Sequence, residues 1–176
     1  MAICALNRDL LRTTSCGYNL PEVKDIWLAN FTDVTDSKIS SGECAEVTAL
    51  TLASGASFYH IEPAKNSVTF TDELVVEDNG NKYRTQTLTF NVVGTYDACM
   101  RDTLDALSLG RYFAVAVDAN GSWLALGRLT GLEAETATLS GGGDTNGITV
   151  TLSANVTESA IPLSDAVIAI VKGEEL

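Results

Sequence analysis

His60 is the only histidine in the 176-residue chain, so a site built on imidazole chemistry has a single candidate. It sits in the short run Ser57-Phe58-Tyr59-His60-Ile61, and no serine or cysteine stands in a recognisable nucleophile setting. A nucleophilic site needs nucleophile, base and orienting group within hydrogen-bond reach, and a lone histidine in a strand is more simply a structural residue. The four cysteines, Cys4, Cys16, Cys44 and Cys99, show no C-x-x-C spacing, which speaks against zinc and thioredoxin-like chemistry. They read as reduced thiols, with Cys4 and Cys16 the one pair near enough in sequence to consider as a bridge. Asp118-Ala119-Asn120-Gly121 and Asp144-Thr145-Asn146-Gly147 begin like calcium loops. Both lack the later ligands and the closing glutamate, so they read as turns. Gly141-Gly142-Gly143 has no Lys-Ser/Thr behind it and is no phosphate cradle. Carboxylates are too numerous to mark any pair for glycoside chemistry. The chain reads as a non-enzyme, with no cofactor and no metal site.

Composition narrows the classes further. Hydrophobic residues make up 45% of the chain and charged ones 19%, which excludes wholesale disorder, and the length fits one domain, 1–176, with arms. The formal charge of −12 argues against a protein that grips nucleic acid, since that takes clustered Lys and Arg. It is compatible with one past which nucleic acid slides, and equally with plain solubility. No apolar run is long enough to span a bilayer. The start of the chain meets Arg8 and Asp9 too soon for a signal-peptide core, so the tripeptides at Asn30, Asn120 and Asn155 read as chance glycosylation patterns in a protein made in the cytoplasm.

The element that organises the rest is a long β-hairpin over residues 64–93, turning at Asp78-Asn79-Gly80-Asn81. Asn-Gly favours a two-residue type I′ loop, which sets Glu77 opposite Lys82 and Val76 opposite Tyr83. In that register Val68, Phe70, Leu74, Val76 and Tyr83 share one apolar face. The other face carries Glu73, Glu77, Lys82, Arg84 and Gln86 towards the tip and Leu88, Phe90 and Val92 at the root. An isolated ribbon is marginal in water, so its apolar face needs a cover, from the chain's own body or from a neighbouring subunit.

Before the hairpin, residues 1–22 read as irregular, 24–31 as a strand, 32–42 as loop, and 45–53 and 57–61 as strands. After it, residues 95–109 form the one convincing helix, capped at Gly94 or Thr95, with Tyr96, Cys99, Met100, Thr103, Leu104 and Leu107 as a buried stripe. A second hairpin spans 111–127, followed by period-two strands over 132–139 and 148–156 and a short apolar strand over 166–171. The fold class is therefore mainly β: a β-barrel or sandwich with one flanking helix and a long hairpin arm.

The ordered set of parts resembles the tail tube proteins of tailed bacteriophages, in particular the compact tube proteins of Bacteroidetes-infecting phages. The likeness runs from Cys4…Cys16-Gly17 and the KDIWLANF strand through the DNGNKYRTQTLTF hairpin. It continues through TYDACMRDTLDALSLGRYFAVAVDANGSWLALG and closes with GITVTLSANVTESAIPL. What the resemblance implies is a virion protein whose copies form six-fold rings. These stack into a tail tube around a channel through which DNA passes without specific binding, alongside other tail or neck proteins and without a membrane. Phage neck and connector rings and the inner tubes of injection machines share the implied fold. On this reading Leu74, Val76, Asn79, Gly80 and Tyr83 of the arm meet another subunit, and Glu133 and Glu135 are acidic candidates for the channel wall. A monomeric β-sandwich binding module is the competing class.

Overall fold

Stretches of period-two hydrophobicity dominate the chain, and most of them become strands. The computed structural model describes residues 20, 22–41, 44–94, 97–142 and 146–174. Among the described residues the protein is mainly β with two α-helices. Strands β1 (Val23–Asn30), β2 (Val34–Ile39), β3 (Val47–Leu52), β4 (Tyr59–Ile61), β5 (Thr69–Val76) and β6 (Lys82–Val92) precede helix α1 (Ala98–Leu109). Strands β7 (Arg111–Asp118), β8 (Trp123–Leu126), β9 (Leu132–Ser140), β10 (Gly147–Val156) and β11 (Ile161–Pro162) lead to helix α2 (Asp165–Lys172).

Nine strands form one antiparallel sheet. Its main path runs β4-β1-β7-β9-β10-β6-β5, and β8 with β11 branches from β7. The branch is possible because β7 pairs with β9 only at Arg111 and Tyr112, leaving Ala114 to Val117 for β8. One sheet face carries Ile26, Leu28, Leu88, Phe90, Leu132, Val150 and Leu152 into a core closed by Leu104 and Leu107 of α1. The opposite face of β1, β7 and β8 presents Ala29, Phe113, Val115 and Ala125 to a second core, covered by Val47 and Leu50 of β3 and Val167 and Val171 of α2. Strand β7 is thus sandwiched between two cores. That is why Tyr112 to Val117 are all buried and the strand reads as a continuous apolar run rather than an alternating one.

Several local expectations are corrected by the structure. The apolar run at 166–171 is helix, not strand. A short apolar run is ambiguous by periodicity alone, but Asp165 in the first turn, Lys172 in the last and left-handed Gly173 at the C-cap are all helix-end signals. Only Val167 and Val171, one turn apart, are fully buried. The polar stretch at 32–42 contains β2, which pairs with β3 and has no buried residue. In α1 the cap is Asp97 itself, whose Oδ1 accepts the Met100 N–H at 2.8 Å; Thr95 and Tyr96 lie outside the described residues. The helix buries only Leu107, with Met100 and Leu104 half-buried and Cys99 and Thr103 exposed.

Candidate subunit interface and polar sheet face

The hairpin at the heart of the sequence reading is present, one residue out of the expected register. Val76 pairs with Lys82, Val75 with Tyr83 and Leu74 with Arg84. The loop holds three residues, Asp78, Asn79 and Gly80: the Gly80 N–H donates to the Glu77 carbonyl at 2.8 Å and the Glu77 N–H to the Asn81 carbonyl at 2.9 Å. Gly80 takes the positive φ (+87°), while Asn79 is not among the residues with positive φ. This is a type I turn closed by a left-handed glycine rather than a type I′ turn. The Asn79 side chain contributes by accepting the Asn81 N–H at 2.9 Å. Asp118-Ala119-Asn120-Gly121 closes the β7–β8 hairpin the same way, with Gly121 at φ +92° donating to the Asp118 carbonyl.

A shift of one residue in pairing moves a partner strand's side chains to the other face. Val68, Phe70, Leu74 and Val76 therefore share the core-side face with Lys82, Arg84, Gln86, Leu88 and Phe90. Tyr83 lies on the opposite face, beside Val75, and is half-buried. The expected Glu77–Lys82 pairing does not form, and Arg84 donates from Nε to Asp72 Oδ1 at 2.6 Å and from Nη2 to the Asp72 carbonyl.

Cover over the core-side face runs out along the hairpin. At the root, Val68 is buried and Phe70 packs against the core. In the middle, Gln86 is fully buried: its Oε1 accepts the Gly127 N–H at 2.8 Å and its Nε2 donates to the Glu158 carbonyl at 3.2 Å. Asp72 holds the Ala160 N–H at 2.7 Å, and Glu158 takes both ends of the Arg128 guanidinium, at 2.7 and 2.6 Å. That buried polar belt is the last tie between arm and body. Beyond it Leu74 and Val76 are 58% and 56% exposed, and Asn79 and Gly80 at the tip are exposed as well.

The other face of β5, β6, β10 and β9 is a broad polar surface. Thr85, Thr87, Thr89 and Asn91 of β6 lie opposite Asn155, Ser153, Thr151 and Thr149 of β10, with Thr69 and Thr71 on one side and Thr136 and Thr138 on the other. None of these residues is buried. Their side chains bond across the strands: Thr89 to Thr151 at 3.1 Å, Asn91 to Thr149 at 2.7 Å and Thr85 to Asn155 at 2.9 Å. The charges on this face are Glu73 and Glu133, both exposed, and exposed Glu135 stands at the bulge where β9 slips against β10. The nearest cation, Arg111, sits at the margin on β7 and is held by Glu133, Nε to Oε1 at 2.7 Å. The two glutamates Glu133 and Glu135 stand out in the sequence and the hydroxyl surface around them does not, although its signal, threonine at alternate positions in four strands, is plain in the chain.

Chemistry elsewhere is sparse. His60 is a partnered side chain, with Nε2 3.0 Å from Asp25 Oδ1 and its ring stacked on Trp27 at 4.5 Å. Among the described residues no group of three His, Cys, Asp or Glu could hold a metal ion, and no helix is long and apolar enough to cross a membrane. Cys4, Cys16 and Asp144 lie outside the described residues. No family model, curated protein or solved structure matches the chain.

Proposed function

We propose that the protein is a structural subunit of a phage tail tube, forming closed rings that stack around a DNA-conducting channel, six-fold as the resemblance implies. The observation that carries the reading is the polar face of β5, β6, β10 and β9. It is wide, built from Thr, Ser and Asn, edged with carboxylates, and its one marginal cation is already paired. Firm hold on DNA comes from Lys and Arg displacing counterions from phosphates. A wall of hydroxyls and carboxylates gives the duplex nothing of that kind to hold, which suits a channel through which it must move.

Two further features support assembly. Among the described residues the end strands of the main sheet path, β4 and β5, each pair along one edge only, and unpaired edges invite strand addition unless something covers them. The arm also carries Leu74 and Val76 beyond the reach of its own core. Joining copies edge to edge would remove the open edges, as closure into a barrel does. Light scattering on the purified protein, followed by negative-stain imaging, tests the reading. Stacked rings with a central channel are the expected result. Rings that never stack would move the protein to a neck or connector position. A monomer at high concentration would leave the binding-module reading.

A further inference from the structure

We infer that the arm of one copy docks, head to tail, in the cleft between β4 and α1 of the next copy. The inference deepens the ring reading and rests on it. Two hollows of about 490 Å³ each run between β4 and α1 and share His60, Ile61, Thr103 and Leu107, so they form one continuous cleft. Its floor is apolar, with Leu28, Ile61, Leu107 and Tyr112. Its rim is acidic, with Glu62, Asp97 and Asp102, and no Lys or Arg among the described residues lines it. Among the described residues strand β4 pairs only with β1, and its other backbone edge lies beside the cleft with no described strand on it.

The arm tip is the complement of that cleft. Leu74 and Val76 are exposed on the face that also carries Lys82, directly opposite Val76. Lys82 makes no ion pair or side-chain hydrogen bond with any described residue, whereas Arg84, the next cation on that face, is taken by Asp72. Among the described residues strand β5 pairs only with β6, so it too presents an edge with no described strand on it. Two apolar side chains, one unpaired cation and an open strand edge thus match an apolar floor, an acidic rim and an open strand edge. Strand addition with side chains seated in flanking pockets is an established mode of recognition.

A chain's own arm has no access to its own cleft. Val92, the last residue of β6, lines the cleft, and Lys82, the first, belongs to the tip. Ten residues of extended strand separate them, about 34 Å at about 3.4 Å per residue. The contact therefore joins different surfaces of two copies. Such a heterologous contact propagates, into a ring where the rotation closes and a filament where it does not.

Carbodiimide coupling of the assembled wild-type protein, with the linked peptides identified by mass spectrometry, tests this directly. The reagent joins an amine to a carboxylate in contact with it, and the span of the strand makes any bond from Lys82 to the rim a bond between copies. The expected result is a link from Lys82 to Glu62, Asp97 or Asp102. In support, Lys82→Glu should raise the concentration needed for assembly by about tenfold or more. Adding Glu62→Lys with Asp102→Lys should recover most of that loss. Assembled protein in which Lys82 links elsewhere or not at all, and in which Lys82→Glu assembles normally, overturns the docking and leaves the ring reading standing. Wild-type protein that stays monomeric overturns both.

Discussion

Gln86 is the one buried polar side chain among the described residues, and it marks where the arm is tied to the body. Its carboxamide ties β6 to the body, with its acceptor on the Gly127 N–H and a donor on the Glu158 carbonyl. Gln86→Leu keeps the volume but strands a buried backbone donor, which typically costs about 1–3 kcal/mol. Chemical denaturation should show a loss of that size, and a change under about 0.5 kcal/mol would mean that the belt is incidental. Tyr112 poses a second residue-scale question. Its hydroxyl donates to the Ala106 carbonyl at 2.6 Å, tying α1 to β7, and Gly110 leaves room for it because a Cβ there would run into the phenol. Burial pushes the Tyr112 phenol above its ordinary value of 10.0. A folded-state value raised above the unfolded one leaves stability flat below pH ~10 and erodes it as the unfolded chain ionises first. Melting curves should therefore fall more steeply above pH ~10 for the wild type than for Tyr112→Phe. Parallel curves would remove the burial argument.

At the scale of elements, the arm divides at the belt formed by Asp72, Arg84 and Gln86. Phe70, on the root side, packs in the core, so Phe70→Asp should sharply lower the melting temperature of the subunit, as burying an unpaired charge does. Leu74→Asp with Val76→Asp, beyond the belt, should leave the subunit's melting almost unchanged and abolish assembly. Melting and sizing the two variants side by side checks this; a tip variant that unfolds as badly as Phe70→Asp would make the tip ordinary core. The hairpin and its exposed tip are legible in the sequence because alternation and Asn-Gly are local signals, although its strands run from Thr69 to Val92 and not over all of 64–93. Its register was not, because a three-residue loop and a two-residue loop both place Gly80 at positive φ. What separates them is whether Asn79 follows, and its side-chain bond to the Asn81 N–H favours the former. α2 was misread for a different reason. Six consecutive apolar residues carry no period, and the deciding marks, Asp165, Lys172 and Gly173, lie just outside the run. β2 was missed since Val34–Ile39 buries nothing. The hydroxyl face went unremarked because its meaning depends on four strands lying side by side, which the chain does not disclose one strand at a time.

For the whole molecule, the account turns on which sheet face meets the channel. The core-side face is occupied, and β1, β7 and β8 are covered on their other side by β3 and α2. That leaves the Thr-, Ser- and Asn-rich face of β5, β6, β10 and β9 as the broad part of the sheet that no described element covers, with Glu73 and Glu133 as its charges. In the proposed ring, a net charge of −12 per copy would also disfavour close approach of phosphates wherever it is unscreened, within about 10 Å at 0.1 M salt. The most direct test is a three-dimensional reconstruction of the assembled protein, read for the residues that surround its axis. The account predicts a closed ring with Thr87, Thr151 and Glu133 turned towards the channel. A channel lined by Lys and Arg, or a ring that turns this face outward, would contradict it.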